Sequence, residues 1–139
     1  MRVIGLVLLL TFLAIAAGDL LPFFDIPSVL IIFGFTIGAL IFAGVGIPNM
    51  FSASFSADAT RENLQTAARG WAQAKSYAVA SGIIGTMMGW IIMLKNLDDM
   101  AAVGPGMAIA ILTILYGLVL GYGICLPMQM RLEDRAAQA

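Results

Sequence analysis

The chain contains no histidine and a single cysteine, Cys125, among its 139 residues. Zinc sites and disulfide frameworks each need several such side chains, so one copy of the chain can build neither. Cys125 lies in an apolar stretch, where a cysteine usually packs as a small hydrophobic residue. We therefore interpret it as a packing residue, and we expect no metal site and no bound cofactor.

Charged residues are also scarce: they make up 11% of the chain, whereas a soluble domain usually has about 25%. Hydrophobic residues make up 61%, which indicates a protein embedded in lipid. The net charge of -1 gives no indication of a nucleic-acid partner, and we expect none. The sequence offers no nucleophile paired with a base, no metal-ligand cluster and no phosphate-binding loop, so we expect no enzymatic activity.

Four apolar stretches are long enough to cross a bilayer as helices, which takes about 20 residues. We therefore predict an all-α membrane protein with one domain over 1–139, whose transmembrane helices lie at about 3–21, 29–47, 77–94 and 106–128. The first stretch, with Arg2 and small residues near its end, also fits a cleavable signal peptide, and we interpret it as a retained span. Pro105 precedes the fourth stretch, and because proline fits the first turn of a helix, we expect it to start that helix.

Basic residues predict the orientation. An even number of spans puts both termini on one side of the membrane, together with the connection 48–76. That side holds most of the lysines and arginines: Arg2, Arg61, Arg69, Lys75, Arg131 and Arg135. Because lysine and arginine mark the cytoplasmic face, we place both termini and this connection in the cytoplasm.

The connection 48–76 favours a helix from Ala57, with Ser56 or Asp58 as its cap. We expect this helix to run directly into the third span, as far as Leu94. Its part outside the membrane is either a stem that contacts a partner or a solvated linker helix.

Small residues recur at helical spacing in the third and fourth spans. Helices in lipid associate where small residues let their backbones approach, so we predict that these glycines pack the two spans together within one subunit. The predicted packing residues are Gly82, Gly85, Gly89, Gly117 and Gly121. Thr86 and Thr113 lie on or beside the same stripes. A threonine can bond back to its own helix, so neither hydroxyl demands a function, but two hydroxyls near the middle of neighbouring spans could line a polar path.

The middle of every predicted span lacks aspartate, glutamate, lysine and arginine. A proton or sodium carrier normally needs an ionisable residue at that depth. The chain therefore either conducts nothing or works with a partner that supplies the acid. The same absence argues against a small four-span multidrug exporter, which carries an acid in its own first span.

Three segments resemble the MotA/TolQ/ExbB family, and most closely the MotA flagellar stator subunits. They are "DIPSVLIIFGFTIGALI" (25–41), "GIIGTMMGWIIMLKNLDD" (82–99) and "GPGMAIAILTILYG" (104–117). The resemblance implies a ring of probably five subunits in the bacterial inner membrane, surrounding a single-span partner of the MotB, ExbD or TolR type. That partner would carry the essential aspartate, and the transported ion would be H⁺ or Na⁺. Thr86 matches the family threonine of span three, beside the partner carboxylate, and Thr113 matches the first threonine of the fourth-span motif, so the resemblance implies that both line the ion path.

The chain also departs from the family pattern. Ile114 stands where a second threonine is usual, Val79 where stator subunits often have proline, and Phe35 where glycine is common. The connection 48–76 is much shorter than the cytoplasmic segment with which flagellar stators engage their rotor. These departures keep an alternative open, in which the chain is a ring-forming membrane scaffold without ion flow.

Overall fold

The computed structural model describes residues 2–19 and 21–139, which form helices and short connections with no β-strand among them. In chain order the helices are α1 (Arg2–Ala17), α2 (Ile26–Phe42), α3 (Ile47–Phe55), α4 (Arg61–Lys95), α5 (Met100–Leu118) and α6 (Leu126–Gln138). A 3-10 turn at Leu21–Phe23 precedes α2, and a π-helical segment at Val119–Cys125 joins α5 to α6 without a break. The predicted all-helical architecture is confirmed for the described part of the chain.

Two helical units are long and apolar enough to cross a membrane: α4, and the continuous unit Met100–Gln138 that contains α5 and α6. α2 and α3 qualify only as a pair, with their axes bent by 101°, so the described residues hold two candidate spans or up to three. α1 has 16 residues. The first predicted span also includes Leu20, which lies outside the described residues. The total of four spans stays a prediction.

α4 is one continuous helix of 35 residues, as expected, but it begins at Arg61 rather than at Ala57. Its cap is Thr60, whose Oγ1 accepts a hydrogen bond of 3.4 Å from the backbone N–H of Asn63. Ser56 instead closes α3, where its own N–H bonds to the carbonyl of Ser52. At about 1.5 Å per residue α4 is about 52 Å long, so it extends beyond a hydrocarbon core of about 30 Å.

Pro105 does not start a helix, and the prediction that it does was wrong. α5 begins at Met100, where the Asp99 carboxylate caps it by accepting a 3.0 Å hydrogen bond from the Ala101 N–H. Pro105 lies inside α5 and lacks the N–H that would bond to the carbonyl of Ala101. The helix continues through this one missing bond because Asp99 caps its start and α4 packs against it from Gly106 onward.

α4 and α5 pack with their backbones in contact. A Cβ atom added to Gly89 would lie 2.5 Å from the backbone nitrogen of Ala110, and one added to Gly117 would lie 2.6 Å from the carbonyl oxygen of Ala78. Real Cβ atoms essentially never come within 3.0 Å of another atom, so only glycine fits at these two positions without a shift of the helices. This contact holds the two helices of the candidate site together.

The other predicted packing glycines lie along the same contact. A Cβ atom on Gly85 would lie 2.7 Å from the Cβ of Thr113, and one on Gly82 would lie 3.1 Å from the Thr113 carbonyl oxygen. A Cβ atom on Gly121, in the π-helical segment, would lie 3.0 Å from a side-chain carbon of Val79 and 3.2 Å from the Lys75 carbonyl oxygen. The α4 contact therefore extends past the end of α5.

A second cluster, here called the basal cluster, packs α3, α6 and the first turns of α4 around Trp71. The Trp71 Nε1–H donates to Ser54 Oγ at 2.9 Å, and the Ser54 hydroxyl donates to the Met50 carbonyl at 2.6 Å. The Phe51 ring meets the Trp71 ring edge to face, with centroids 5.2 Å apart. The buried members of the basal cluster are Leu40, Met50, Ala53, Leu64, Ala67, Ala68, Trp71, Ala74, Cys125, Leu132 and Ala136.

Arg135 ties α6 to the end of α3. Its guanidinium donates to the carbonyl oxygens of Ser56 at 2.7 Å and Ala53 at 3.4 Å. The last carbonyls of a helix lack partners within the helix, and a cation there also complements the helix dipole. Arg135 therefore links the C-terminal helix to the last turn of α3.

α2 packs against α4 and α5 through a stripe of buried residues: Ser28, Ile32, Thr36 and Leu40. The Thr36 Oγ1 is the only buried side-chain oxygen or nitrogen in the described part of the chain that lacks a hydrogen-bond partner. A buried hydroxyl without a partner costs about 1–3 kcal/mol of stability.

Replacement of Gly89 by alanine is expected to separate α4 from α5. The new methyl group would meet backbone atoms, and overpacking of this kind costs about 1–3 kcal/mol. The matched control is Gly38→Ala in α2, where an added Cβ meets nothing within 4 Å. Thermal unfolding in detergent should give a lower midpoint for Gly89→Ala and an equal or higher one for Gly38→Ala. Equal midpoints for Gly89→Ala and the unmodified chain would contradict the observed contact.

Replacement of Thr36 by valine is expected to leave stability unchanged or to raise it by about 1 kcal/mol, because it removes a buried hydroxyl without a partner. Ser54→Ala removes the acceptor of the Trp71 N–H and should lower stability by about 1–3 kcal/mol. Tryptophan fluorescence during thermal unfolding measures both. A loss in Thr36→Val as large as that in Ser54→Ala would mean that the Thr36 hydroxyl has a bonding partner.

Candidate functional site

Thr86 of α4 and Thr113 of α5 approach the same backbone carbonyl, that of Ala110. The Thr86 hydroxyl lies 2.8 Å from the Ala110 oxygen and 2.9 Å from the Gly82 oxygen. The Thr113 hydroxyl lies 2.7 Å from the Ile109 oxygen and 3.2 Å from the Ala110 oxygen. A hydroxyl has one hydrogen, so each threonine shares its hydrogen between two carbonyls. The two residues, called here the threonine pair, are thus brought together across the helix contact.

The small residues around the threonine pair explain its geometry. Gly85 leaves the space that the Thr113 side chain fills, and the short side chain of Ala110 leaves its carbonyl open to Thr86 on the facing helix. The Thr86 bond to Ala110 crosses from α4 to α5, so it adds a polar link to the backbone contact. The glycine stripe and the threonine pair are therefore one feature of the structure.

The two threonines differ in exposure. Thr113 is fully enclosed between the helices, with none of its surface exposed, whereas Thr86 is half-buried and reaches the surface of the chain. Ile114, the residue after Thr113, is 38% exposed. In this chain a path along the outside of α4 and α5 would therefore meet the Thr86 hydroxyl and the Ile114 hydrocarbon, with Thr113 behind them.

The oxygen atoms of the threonine pair are neutral ligands. Their hydrogens point to carbonyls, so what remains for a ligand is the lone pairs of each hydroxyl oxygen. The segments 77–94 and 106–128 contain no charged residue, and no group of three or more histidine, cysteine or acidic residues that could hold a metal occurs in the described part of the chain. Only the Thr86 oxygen reaches the surface, where it can accept from a water molecule or coordinate a cation, and a charge that balances a cation has to come from elsewhere.

Exposed apolar residues surround the Thr86 hydroxyl on the surface of α4. Ile83 and Trp90 are each more than one third exposed and share its face, three residues before Thr86 and four residues after it. Thr86 is thus a polar position in an otherwise apolar helix face. Such a face suits contact with lipid or with another apolar helix.

Tyr116 forms a link that the sequence analysis missed. Its hydroxyl donates to the Phe23 carbonyl and accepts a 3.2 Å hydrogen bond from the Asp25 N–H. Asp25 in turn caps α2, because its carboxylate accepts from the N–H and the hydroxyl of Ser28 at 2.9 and 2.5 Å. The connection before α2 is therefore held beside the last turn of α5. The sequence feature that could have predicted this link is a single tyrosine, Tyr116, in an aliphatic run three residues after Thr113.

The π-helical segment was also missed. It is marked by the hydrogen bond from the Leu126 N–H to the Gly121 carbonyl, which spans five residues instead of four. Pro127 follows it and lacks an N–H, which favours a local change of helical pitch. Two glycines and a proline within seven residues, Gly121 to Pro127, were the signal for it. Pro105, which was predicted to start the fourth span, lies next to Gly106, the first residue of α5 that packs against α4.

Comparison with known proteins agrees with the resemblance seen in the sequence. Motility protein A of Aquifex aeolicus is 40% identical over 72 residues, which are 52% of this chain and 28% of that protein. The uncharacterized protein YtxD of Bacillus subtilis is 42% identical over 77 residues, 55% of this chain and 28% of that protein. Chemotaxis protein PomA of Vibrio alginolyticus is 46% identical over 61 residues, 44% of this chain and 24% of that protein.

The chain therefore matches about a quarter of the length of these curated relatives. The sequence profile of the MotA/TolQ/ExbB proton channel family matches residues 47–139, which is more than half of the chain and includes α3 to α6. This family is defined by proton channels rather than by an enzymatic reaction, and its apolar helices belong in the bacterial inner membrane. The resemblance stated from the sequence is confirmed, and the chain belongs to the MotA/TolQ/ExbB proton channel family.

Proposed function

We propose that the chain is an ion-channel-forming ring subunit of a proton- or sodium-driven membrane motor. It works with a single-span partner of the MotB, ExbD or TolR type, which supplies the essential aspartate. The observation that carries the proposal is the convergence of Thr86 and Thr113 on one carbonyl, in helix segments without any charge. Such a site offers oxygen ligands and lacks the acid that transport needs, so the partner completes it.

The proposed assembly has four spans per subunit, both termini in the cytoplasm, and a ring of about five copies. Its support is the distribution of basic residues. Arg61 and Arg69 lie in the first turns of α4, and Arg131 and Arg135 lie in α6, which packs against α4. These arginines therefore belong to one end of the molecule, as the positive-inside rule requires of a cytoplasmic end.

The proposed mechanism assigns the threonine pair two different roles. Thr86 is the member that reaches the surface. Its hydroxyl oxygen contacts the transported Na⁺, or the water molecule that carries H⁺, beside the partner aspartate. Thr113 acts behind it, by fixing the Ala110 carbonyl that receives the Thr86 hydrogen. Moving one charge through 100 mV yields about 2.3 kcal/mol, which is enough to shift ring and partner relative to each other.

Replacement of Thr86 or of Thr113 by valine is expected to impair ion-dependent function while assembly stays intact. Each variant removes one hydroxyl, and a neutral hydrogen bond contributes about 0.5–1.5 kcal/mol, so ion uptake should fall by up to about tenfold. Thr86→Ser keeps the oxygen and should restore most of the uptake. The measurement is ion uptake by vesicles that contain the chain and its single-span partner, with the oligomer checked by size-exclusion chromatography.

The matched control is Thr11→Val in α1. Thr11 is exposed and donates to the Val7 carbonyl at 2.7 Å, so it makes the same bond to its own helix outside the proposed path. Its variant should conduct normally. Normal uptake in both Thr86→Val and Thr113→Val would remove the assigned path, and uptake by the chain without any partner would remove the need for a partner acid.

A second candidate function is a ring-forming membrane scaffold without ion flow. Ile114 favours it, because this exposed hydrocarbon stands where the family usually has a second threonine. A scaffold predicts an assembled ring that passes no ions in vesicles even when the partner is present. Ion uptake that depends on the partner aspartate would favour the motor subunit over the scaffold.

A further inference from the structure

A cavity of about 620 Å³ lies between the α2–α3 bend and the first turns of α4. The bend is sharp, because α2 and α3 differ in direction by 101° and Gly44 between them adopts a φ of +73°. Its polar lining includes the side chains of Asn49, Asn63 and Gln73. The threonine pair, α5 and α6 contribute nothing to this cavity, so it is separate from the proposed ion path.

Two opposite charges line the cavity without neutralising each other. Arg69 of α4 and Asp58 of the α3–α4 connection both border it, and both side chains are exposed. Neither forms an ion pair or a hydrogen bond with another residue in the described part of the chain. The cavity thus offers one site for an anionic group and a separate site for a cationic group.

The cavity lies at the edge of the apolar part of the molecule. Its lining starts at Ala43, directly after the apolar helix α2, which ends at Phe42. On α4 the lining ends at Gln73, four residues before the charge-free segment 77–94 begins. The headgroups of a bilayer occupy this boundary, outside a hydrocarbon core of about 30 Å.

We propose that this cavity binds the headgroup of a zwitterionic phospholipid, with its phosphate at Arg69 and its ammonium group at Asp58. The amide side chains of Asn49, Asn63 and Gln73 complete the polar lining. The acyl chains leave along the exposed apolar surface that ends at Ile41 and Phe42. The headgroup fills the space under the α2–α3 bend and stabilises that bend at the membrane surface. The proposal needs the membrane location of the chain and does not depend on the ion path.

The ligand chemistry distinguishes a zwitterion from other phosphates. A headgroup with a negative charge alone would be attracted by Arg69 and repelled by Asp58, because like charges at short range oppose binding. Soluble inorganic phosphate would gain nothing from Asp58 and nothing from the apolar surface of α2. Dependence on both charged residues is therefore the signature of the proposed lipid.

The test is lipid retention by the full chain in nanodiscs made from equal parts of an ethanolamine phospholipid and a glycerol phospholipid. Native mass spectrometry of the released protein reports which lipid stays bound. The unmodified chain should retain the ethanolamine lipid in preference. Arg69→Gln and Asp58→Asn should each lower that retention by about tenfold, as the loss of one charge-assisted contact implies.

The matched controls are Arg61→Gln and Glu62→Gln, which change the same charges at exposed positions of α4 outside the cavity. Both should retain the lipid like the unmodified chain, and thermal unfolding in lipid-free detergent should give equal midpoints for all four variants. Equal retention of both lipids, or unchanged ethanolamine preference in Asp58→Asn, would overturn the proposal. So would loss of the bound lipid to inorganic phosphate, or protection of the cavity from hydrogen exchange by a second copy of the chain without lipid.

Discussion

The backbone contact between α4 and α5 is the constraint on which the remaining structure depends. At Gly89 and Gly117 the two helices approach so closely that no other side chain fits. Lipid gives apolar helices little reason to associate, so close packing of backbones supplies the attraction that burial supplies in water. Because the helices touch, the Thr86 hydroxyl of α4 reaches a carbonyl of α5, and Thr113 fills the space beside Gly85. Packing and candidate site are two consequences of the same contact.

This arrangement explains why a wall of helices without charge is suited to a proton channel family. Hydroxyl oxygens that already share their hydrogens with carbonyls hold a fixed position and present only lone pairs. In the proposed function, the Thr86 oxygen guides a cation without binding it as tightly as a carboxylate would. The basal cluster packs the other end of α4 against α3 and α6, and Arg135 links α6 to the end of α3.

Much of the fold followed from the sequence because its signals are local. The apolar runs, the glycine spacing and the continuous helix before the third span all reflect periodicity along one chain. The errors also have local causes. Thr60 and Asp99, rather than Ser56 and Pro105, mark the starts of α4 and α5. Ser56 also has an extended backbone, but it ends α3 and a short turn separates it from α4, whereas Asp99 caps α5 before the chain reaches Pro105. The π-helical segment and the Tyr116 link were missed because neither has a repeating pattern.

The sequence by itself determined that this chain is a membrane protein and that its helices carry rows of small residues. It also determined that no acidic residue lies within the apolar segments. These properties depend only on residue types and their order. Only the tertiary structure decided which hydroxyl faces outward. In the sequence Thr86 and Thr113 are both single threonines in apolar helices. The orientation of α5 about its own axis encloses Thr113 against α4 and exposes the next residue, Ile114. That orientation is set by where two backbones can touch, and the contact of Gly89 with Ala110, 21 positions along the chain, cannot be read from either helix alone.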